Sequence, residues 1–258
     1  MFDILKTRLE QGYRTKTFPP PDPQLPDSYR GLPALDPGLC QKGCDACARV
    51  CPTDALRTTE GGFGLDLGRC LFCPECSRAC PTGALSFTRQ YQLATSSRED
   101  LVLGGQALAL ARSLDERTRR LFGRSLKLRQ VSAGGCNACE ADINVLGTVV
   151  YDLGRFGIQF VASPRHADGL LVTGPVTNAM RQALAAAYEA TPAPKIVIAV
   201  GACAISGGPF AGSPMVNDGV EDSLRVDLYV PGCPPHPLTI LDGLLRLLGR
   251  LEGDPAVR

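Results

Sequence analysis

The chain lacks several things that would assign it quickly. Its 258 residues include no tryptophan, two histidines and three methionines. No run of about 18 apolar residues occurs, which excludes a membrane-spanning helix. The first ten residues show neither the basic-then-apolar pattern of a secretory signal nor a twin arginine, so the chain is expected to stay in a reducing cytoplasm. Neither charge sign dominates: 27 Lys and Arg face 26 Asp and Glu. A dedicated nucleic-acid binder would be strongly basic, so that class is set aside. No GxGxxG, phosphate loop or nucleophile motif occurs, and neither His166 nor His236 sits in a recognisable catalytic pattern. His166 reads as a surface-loop residue. His236, near Cys233, reads as a loop residue within reach of tuning it. What the chain does have is cysteine, 12 in all. In a reducing compartment, closely spaced cysteines point to metal rather than to disulfides.

Charge and composition divide the chain unevenly. Residues 1–90 carry a net +1, residues 91–135 a net +4 and residues 136–258 a net −4. Residues 1–36 hold little core. Phe2, Ile4, Leu5 and Leu9 make one face of a short helix, and the proline-rich run from Phe18 to Pro23 then forbids regular helix. Tyr13, Phe18 and Tyr29 are apolar anchors, so this segment is expected to be an extended arm ordered by partner subunits; a disordered tail is the alternative. Residues 37–90 hold eight cysteines and an internal repeat. Cys44–Leu56 and Cys73–Leu85 share eight of thirteen residues at an offset of 29, which suggests two similar sites related by a pseudo-twofold axis. Residues 91–125 read as a basic helical connector, with Leu103, Ala107, Leu110, Leu114 and Leu121 at helical spacing. Asp115 with Arg119 and Glu116 with Arg120 are its i,i+4 pairs.

The run Cys70-x2-Cys73-x2-Cys76-x3-Cys80-Pro81 is that of two-cluster bacterial ferredoxins, in which the fourth cysteine ligates the other cluster. The first run, Cys40-x3-Cys44-x2-Cys47-x3-Cys51-Pro52, has one extra residue, which Gly43 is placed to absorb. Crossed ligation gives Cys40, Cys44, Cys47 and Cys80 to cluster 1, and Cys70, Cys73, Cys76 and Cys51 to cluster 2. Structural zinc also uses Cys-x2-Cys pairs, but it requires neither the third cysteine of each run, nor the trailing prolines, nor the repeat.

From residue 126 the pattern alternates. Strands are expected at Leu126–Ser132, Ile158–Ala162, Gly169–Thr173, Ile196–Val200 and Val226–Val230. Helices are expected at Ala141–Phe156, Asn178–Ala190 and Pro237–Leu251. This alternation implies an α/β fold with an open parallel sheet (126–258), for which a flavodoxin-like arrangement is the expectation, preceded by a small α+β two-cluster ferredoxin domain (37–90). The remaining cysteines, Cys136, Cys139, Cys203 and Cys233, each follow a strand, so they gather at one edge of the sheet. Four convergent thiolates fit a third cubane. A zinc site, or small buried cysteines, are the alternatives.

The residues Leu121–Leu126, Gly135–Glu140, Gly201–Ala204 and Pro231–Pro235 resemble the small subunit of group 4 membrane-bound NiFe hydrogenases. The formate hydrogenlyase and hydrogenase-4 type is the likeness, and that subunit is similar to the 20 kDa subunit of respiratory complex I. Leu5–Leu9 and Arg98–Leu101 resemble the ferredoxin-like subunit of the same complexes, so the chain looks like two subunits fused. Complex I subunits carry two adjacent cysteines; Cys136 and Cys139 lie two residues apart, as in hydrogenases. The resemblance implies three 4Fe-4S clusters, and a wire without catalytic activity of its own inside an oxidoreductase complex. It implies as partners a NiFe large subunit or a nickel-free homologue, membrane-arm subunits and an external electron donor or acceptor. It implies a place on the cytoplasmic face of the membrane, held there by those partners. Glu140 resembles a family glutamate at the large-subunit junction, where it would move protons; a helix N-terminal carboxylate is its plainer role.

Overall fold

The structure, a computed structural model, describes residues 2–41, 43–59, 62–104 and 106–251. Lys42, between Cys40 and Cys44, and the last seven residues of the second module lie outside them. Helix α1 (Phe2–Gln11) opens the chain and buries no residue. Strand β1 (Pro33–Leu35) pairs antiparallel with β4 (Leu85–Phe87), so the first sheet already begins inside the expected arm. Between them lie α2 (Ala46–Arg49), β2 (Leu56–Thr59), β3 (Gly62–Asp66) and α3 (Glu75–Ala79).

The sequence repeat is a structural one. After each Cys-Pro pair comes a threonine hydroxyl 3.8 Å from the cysteine sulfur, Thr53 to Cys51 and Thr82 to Cys80. A left-handed residue follows, Asp54 (φ 51) or Gly83 (φ 68), and then a buried leucine, Leu56 or Leu85. The left-handed residue turns the chain back so that its leucine enters the core under the thiols. Gly43, at φ 77, makes the turn of the longer first run.

The connector is not the helix that the spacing from Leu103 to Leu121 suggests. Val102–Leu103 is strand β5, which pairs with β3 and completes a three-stranded antiparallel sheet in the order β2-β3-β5. Helix α4 spans only Glu116–Phe122. Leu101 and Leu103 are buried against the ferredoxin-like core, and that tertiary burial overrides the helical spacing that runs from Leu103 to Leu121. Asp115 does not pair with Arg119; its carboxylate caps α4 by accepting from the Thr118 N–H at 3.1 Å. Glu116 does pair with Arg120.

The second module is a five-stranded parallel sheet built from β6 (Leu126–Ser132), β7 (Ile158–Phe160), β8 (Gly169–Thr173), β9 (Ile196–Val200) and β10 (Leu228–Val230). The spatial order is β10-β9-β8-β6-β7. Numbered from β6, that is 2-1-3-4-5, the flavodoxin-like order. Every residue of β8 and β9 is buried, as a parallel strand covered on both faces requires. The helices are α5 (Ala138–Val145), α6 (Asn178–Ala190), α7 (Ala202–Ser206) and α8 (Pro237–Leu247). The helix expected over 141–156 starts earlier and ends at Val145; beyond it the chain turns, with Asp152 left-handed (φ 47) and a 3-10 turn over Leu153–Phe156.

The two modules share one core. Leu65, Leu67, Cys70 and Leu101 from the first lie in the same buried cluster as Leu170, Val172, Val197 and Ile205 from the second. The opposite face of the sheet packs Leu171, Ile198 and Val230 against α8. Helix α8 is buried nearly all round, so something must cover its outer side. The connector supplies Tyr91 and Ala94, the latter's Cβ leaving 2.7 Å for one on Gly243, and the arm supplies Leu25. The arm is therefore packed on its own chain. Phe18 stands edge-on to Phe156 at 6.3 Å, and Lys16 N–H bonds the Val150 carbonyl at 2.9 Å. Tyr13 stays exposed.

Candidate iron-sulfur centres

Each thiol is placed by a turn or a strand end. In the second run, Phe72 is left-handed (φ 52), and its N–H donates to Cys70 Sγ at 3.3 Å. Ala55 N–H donates to Cys51 Sγ at 3.3 Å. Cys51, Cys70, Cys73 and Cys76 line one small cavity together with Pro33, Leu56 and Leu65. Burial pushes the Cys70 thiol up to about 12, and Cys76, Cys51 and Cys73 push the same way. Burial takes Cys76 to about 11, again with Cys73 and Cys51 as its neighbours. A shared apolar cradle lined by four sulfurs fits a cubane held by thiolates, and binding would displace those protons.

The first group is more open. Burial raises the Cys47 thiol, and its thiol neighbours are Cys80 and Cys44. Cys40 is exposed. Cys80 behaves differently: burial opposes its thiolate, but hydrogen bonds from Leu85, Thr82 and Ala84 outweigh that and hold its pKa below the usual thiol range. The structure thus puts Cys51 among the second-run thiols and Cys80 beside first-run thiols. The two groups are neighbours, because Cys47 acts electrostatically on Cys76.

The third group forms where three strands of the sheet end. Cys136 and Cys139 follow β6, Cys203 lies in α7 after β9, and Cys233 follows β10. Burial raises Cys139, followed by the effects of Glu140, Cys203, Cys233 and Cys136. Burial takes Cys203 to about 11, with Cys233 and Cys136 next. Two glycines make room for these sulfurs. A Cβ on Gly201 (φ +90) would lie 2.6 Å from Cys139 Sγ, and one on Gly208 (φ +54) would lie 2.9 Å from Cys203 Sγ. Cys233 is raised by burial and then by Cys136 and by Cys73 of the second run. Among the described residues, no three His, Cys, Asp or Glu groups are drawn up to the reach of a single metal ion.

Glu140 is 5% exposed, in the first turn of α5. Its Oε1 accepts from Thr173 Oγ1 at 2.6 Å. Burial opposes its charge, yet hydrogen bonds from Ser132, Thr173 and its own N–H hold the carboxyl below the usual range. His236 caps α8, its Nδ1 accepting from Leu238 N–H at 3.1 Å, and burial lowers its pKa. His166 is exposed. Sequence reasoning alone misses the sulfur-contacting residues Thr53, Thr82, Gly201 and Gly208. The repeated Cys-Pro-Thr carries a signal for the threonines, and Gly201 lies in the Gly201–Ala204 stretch of the resemblance; Gly208 carries none without the fold.

Eleven thiols in three neighbouring groups, with Cys40 exposed beyond them, on a ferredoxin-like half and a flavodoxin-like half, define an iron-sulfur protein of two joined modules. Residues 39–84 match the 4Fe-4S dicluster domain and residues 136–247 the NADH ubiquinone oxidoreductase 20 Kd subunit. A probable membrane-bound hydrogenase subunit of Pyrococcus furiosus is 48% identical over 132 residues, 51% of this chain and 79% of that protein. Formate hydrogenlyase subunit 7 of Escherichia coli is 47% identical over 129 residues, 50% of this chain and 51% of that protein, so the chain spans about half of that relative. An NADH-quinone oxidoreductase subunit of Citrifermentans bemidjiense is 43% identical over 120 residues, 46% of this chain and 70% of that protein. The chain belongs to the NADH ubiquinone oxidoreductase 20 kDa subunit family, with a 4Fe-4S dicluster domain ahead of the family domain.

Proposed function

We propose that the chain is the electron-transfer subunit of a membrane-associated group 4 NiFe hydrogenase complex of the formate hydrogenlyase type, holding three 4Fe-4S clusters. The observation that carries the reading is that Cys73 lies close enough to Cys233 to act on its thiol electrostatically, which sets the ferredoxin-like thiols beside the strand-end thiols. With Cys47 beside Cys76, the three groups follow one another as first, second and third. Each bound cluster would store and pass single electrons, and the protein's levers on it are burial, hydrogen bonds to sulfur and local charge. The chain's own residues supply those levers: N–H groups of Ala55 and Phe72 on sulfur, threonine hydroxyls on Cys51 and Cys80, and an apolar cradle for the second group.

The ligand sets proposed are Cys40, Cys44, Cys47 and Cys80 for cluster 1, Cys70, Cys73, Cys76 and Cys51 for cluster 2, and Cys136, Cys139, Cys203 and Cys233 for the proximal cluster. The nickel site would belong to a separate large subunit seated at the open Cys136 and Cys233 side. Glu140, ionised and held by Thr173, would pass protons at that junction. The electron donor or acceptor would meet the exposed Cys40 end. No helix among the described residues is long and apolar enough to cross a membrane, so attachment on the cytoplasmic face would come through membrane-arm subunits.

The likeness to an NADH-quinone oxidoreductase subunit favours a second reading, the same wire next to a large subunit without nickel. Two Cys-x2-Cys pairs in the neighbouring large-subunit sequence decide for nickel; their absence decides against it. Iron analysis of the anaerobically purified chain tests the wire itself. About twelve irons per chain are expected from three cubanes, and zinc with no visible charge-transfer absorption would overturn the reading.

A further inference from the structure

Between the second thiol group and the third lies a seam, and a side chain from the N-terminal arm reaches into it. Arg30 Nε donates to the carbonyl of Phe72 at 2.5 Å, and Nη1 donates to the Ser28 carbonyl at 3.1 Å. Phe72 is the left-handed residue between Cys70 and Cys73 whose N–H meets Cys70 Sγ, so Arg30 holds the far side of the peptide turn that shapes this run. Arg30 and Phe72 line a cavity of about 220 Å³ together with Cys233, Pro234 and Asp142. Cys73 acts on Cys233 across the same seam. The arm is fixed on either side of this point: before it, Leu25 is buried with Tyr91 and Leu238 and Tyr29 lies edge-on to His236 at 5.4 Å; after it, Gly31 N–H donates to the Thr88 carbonyl at 2.8 Å.

We propose that Arg30 is a positioning residue for electron transfer between the second and third clusters: it pins the Phe72 turn and sets a permanent positive charge beside the gap, favouring the reduced second cluster. The inference rests on the three-cluster reading above. Reduction adds one negative charge to a cluster, and a guanidinium stays charged at every relevant pH. Asp142 lines the same cavity and works against Arg30, and the exposed part of the guanidinium is screened by salt, so the effect is moderate.

The test is an EPR-monitored redox titration of the full chain with its clusters, in wild type, Arg30→Gln and Arg30→Lys, at low and high salt. The second cluster's signal is identified as the one lost in Cys70→Ala, since Cys70 belongs to the second run whichever way Cys51 and Cys80 are assigned. Arg30→Gln is expected to lower the reduced-to-oxidised ratio of the second cluster about fivefold at a fixed potential, about 40 mV for a one-electron couple. The shift should shrink at high salt, and Arg30→Lys should recover most of it. An unchanged ratio in Arg30→Gln overturns the proposal, as does an equal, salt-insensitive shift in both variants. If Arg30→Gln loses the second cluster outright, Arg30→Lys decides: a retained cluster with a near wild-type, salt-sensitive ratio supports the charge, and loss in both overturns it. Wild-type protein without three cluster signals would instead sink the three-cluster reading, whatever the Arg30 variants do.

Discussion

The ferredoxin-like thiols and the strand-end thiols reach similar groupings by opposite routes. Eight cysteines fall between residues 40 and 80, where tight turns and two short helices bring them together locally. The other four span residues 136 to 233 and meet only because β6, β9 and β10 run parallel and end at the same edge. A local site depends on turn chemistry; a strand-end site depends on the sheet being assembled first. The second therefore has more ways to be broken from a distance. The two routes are also welded together, since ferredoxin-like leucines and sheet residues occupy one core.

The largest expected effect is the removal of one group without the others. Cys233→Ala should cost about a third of the bound iron and abolish one EPR signal while two ferredoxin-type signals persist. If all three signals vanish, the strand-end group is not an independent centre. Cys51→Ala tests the crossed pattern inside the repeat. It should remove the cluster of the second run, because Cys51 lies with Cys70, Cys73 and Cys76. Loss of the first-run cluster instead would reverse the assignment of Cys51 and Cys80.

A smaller effect comes from a glycine that serves the strand-end group alone. Gly201→Ala places a Cβ 2.6 Å from Cys139 Sγ at a φ of +90. Left-handed strain costs on the order of 1–3 kcal/mol, and the sulfur must move as well. Iron content at the third centre and the thermal midpoint should both fall, with the ferredoxin-type signals unchanged. An equal loss at all three centres would mean that Gly201 matters to the shared core rather than to Cys139.

The same contrast governs what is legible in the sequence. The cysteine runs are legible because each ligand set follows from fixed spacing, and the repeat exposes the paired turns. Strands Leu126–Ser132, Gly169–Thr173 and Ile196–Val200 are legible to the residue because their apolar runs are bounded by turns. The order 2-1-3-4-5 needs the family resemblance, since periodicity does not order strands. The connector imitates a helix because Leu103, Ala107, Leu110, Leu114 and Leu121 are spaced for one, yet Leu103 pairs in β5 and is buried by the first module. The arm's apolar anchors suggest a segment reaching outward, whereas Phe18, Leu25 and Tyr29 pack on the outer side of α8 and its neighbours. Both departures have one cause: contacts between modules leave no local pattern.

The smallest predicted effect isolates such a contact. Ser206, at the end of α7, is buried, and its hydroxyl lies 2.9 Å from the Gly68 carbonyl and 3.1 Å from Ala202 O in its own helix. Gly68 belongs to the turn leading into Cys70, and Asp66 on that turn pairs with Arg98 at 2.6 Å. One hydroxyl proton thus links the segment carrying Cys203 to the segment carrying Cys70. Ser206→Ala removes it and leaves a buried carbonyl without its partner, a cost of roughly 1–3 kcal/mol. Chemical denaturation should show a lower midpoint and an unchanged slope, because the surface exposed on unfolding stays the same. If the modules were separable, the variant would split the transition in two. A single shifted transition is expected, because the apolar core that crosses the junction is far larger than the one hydrogen bond lost.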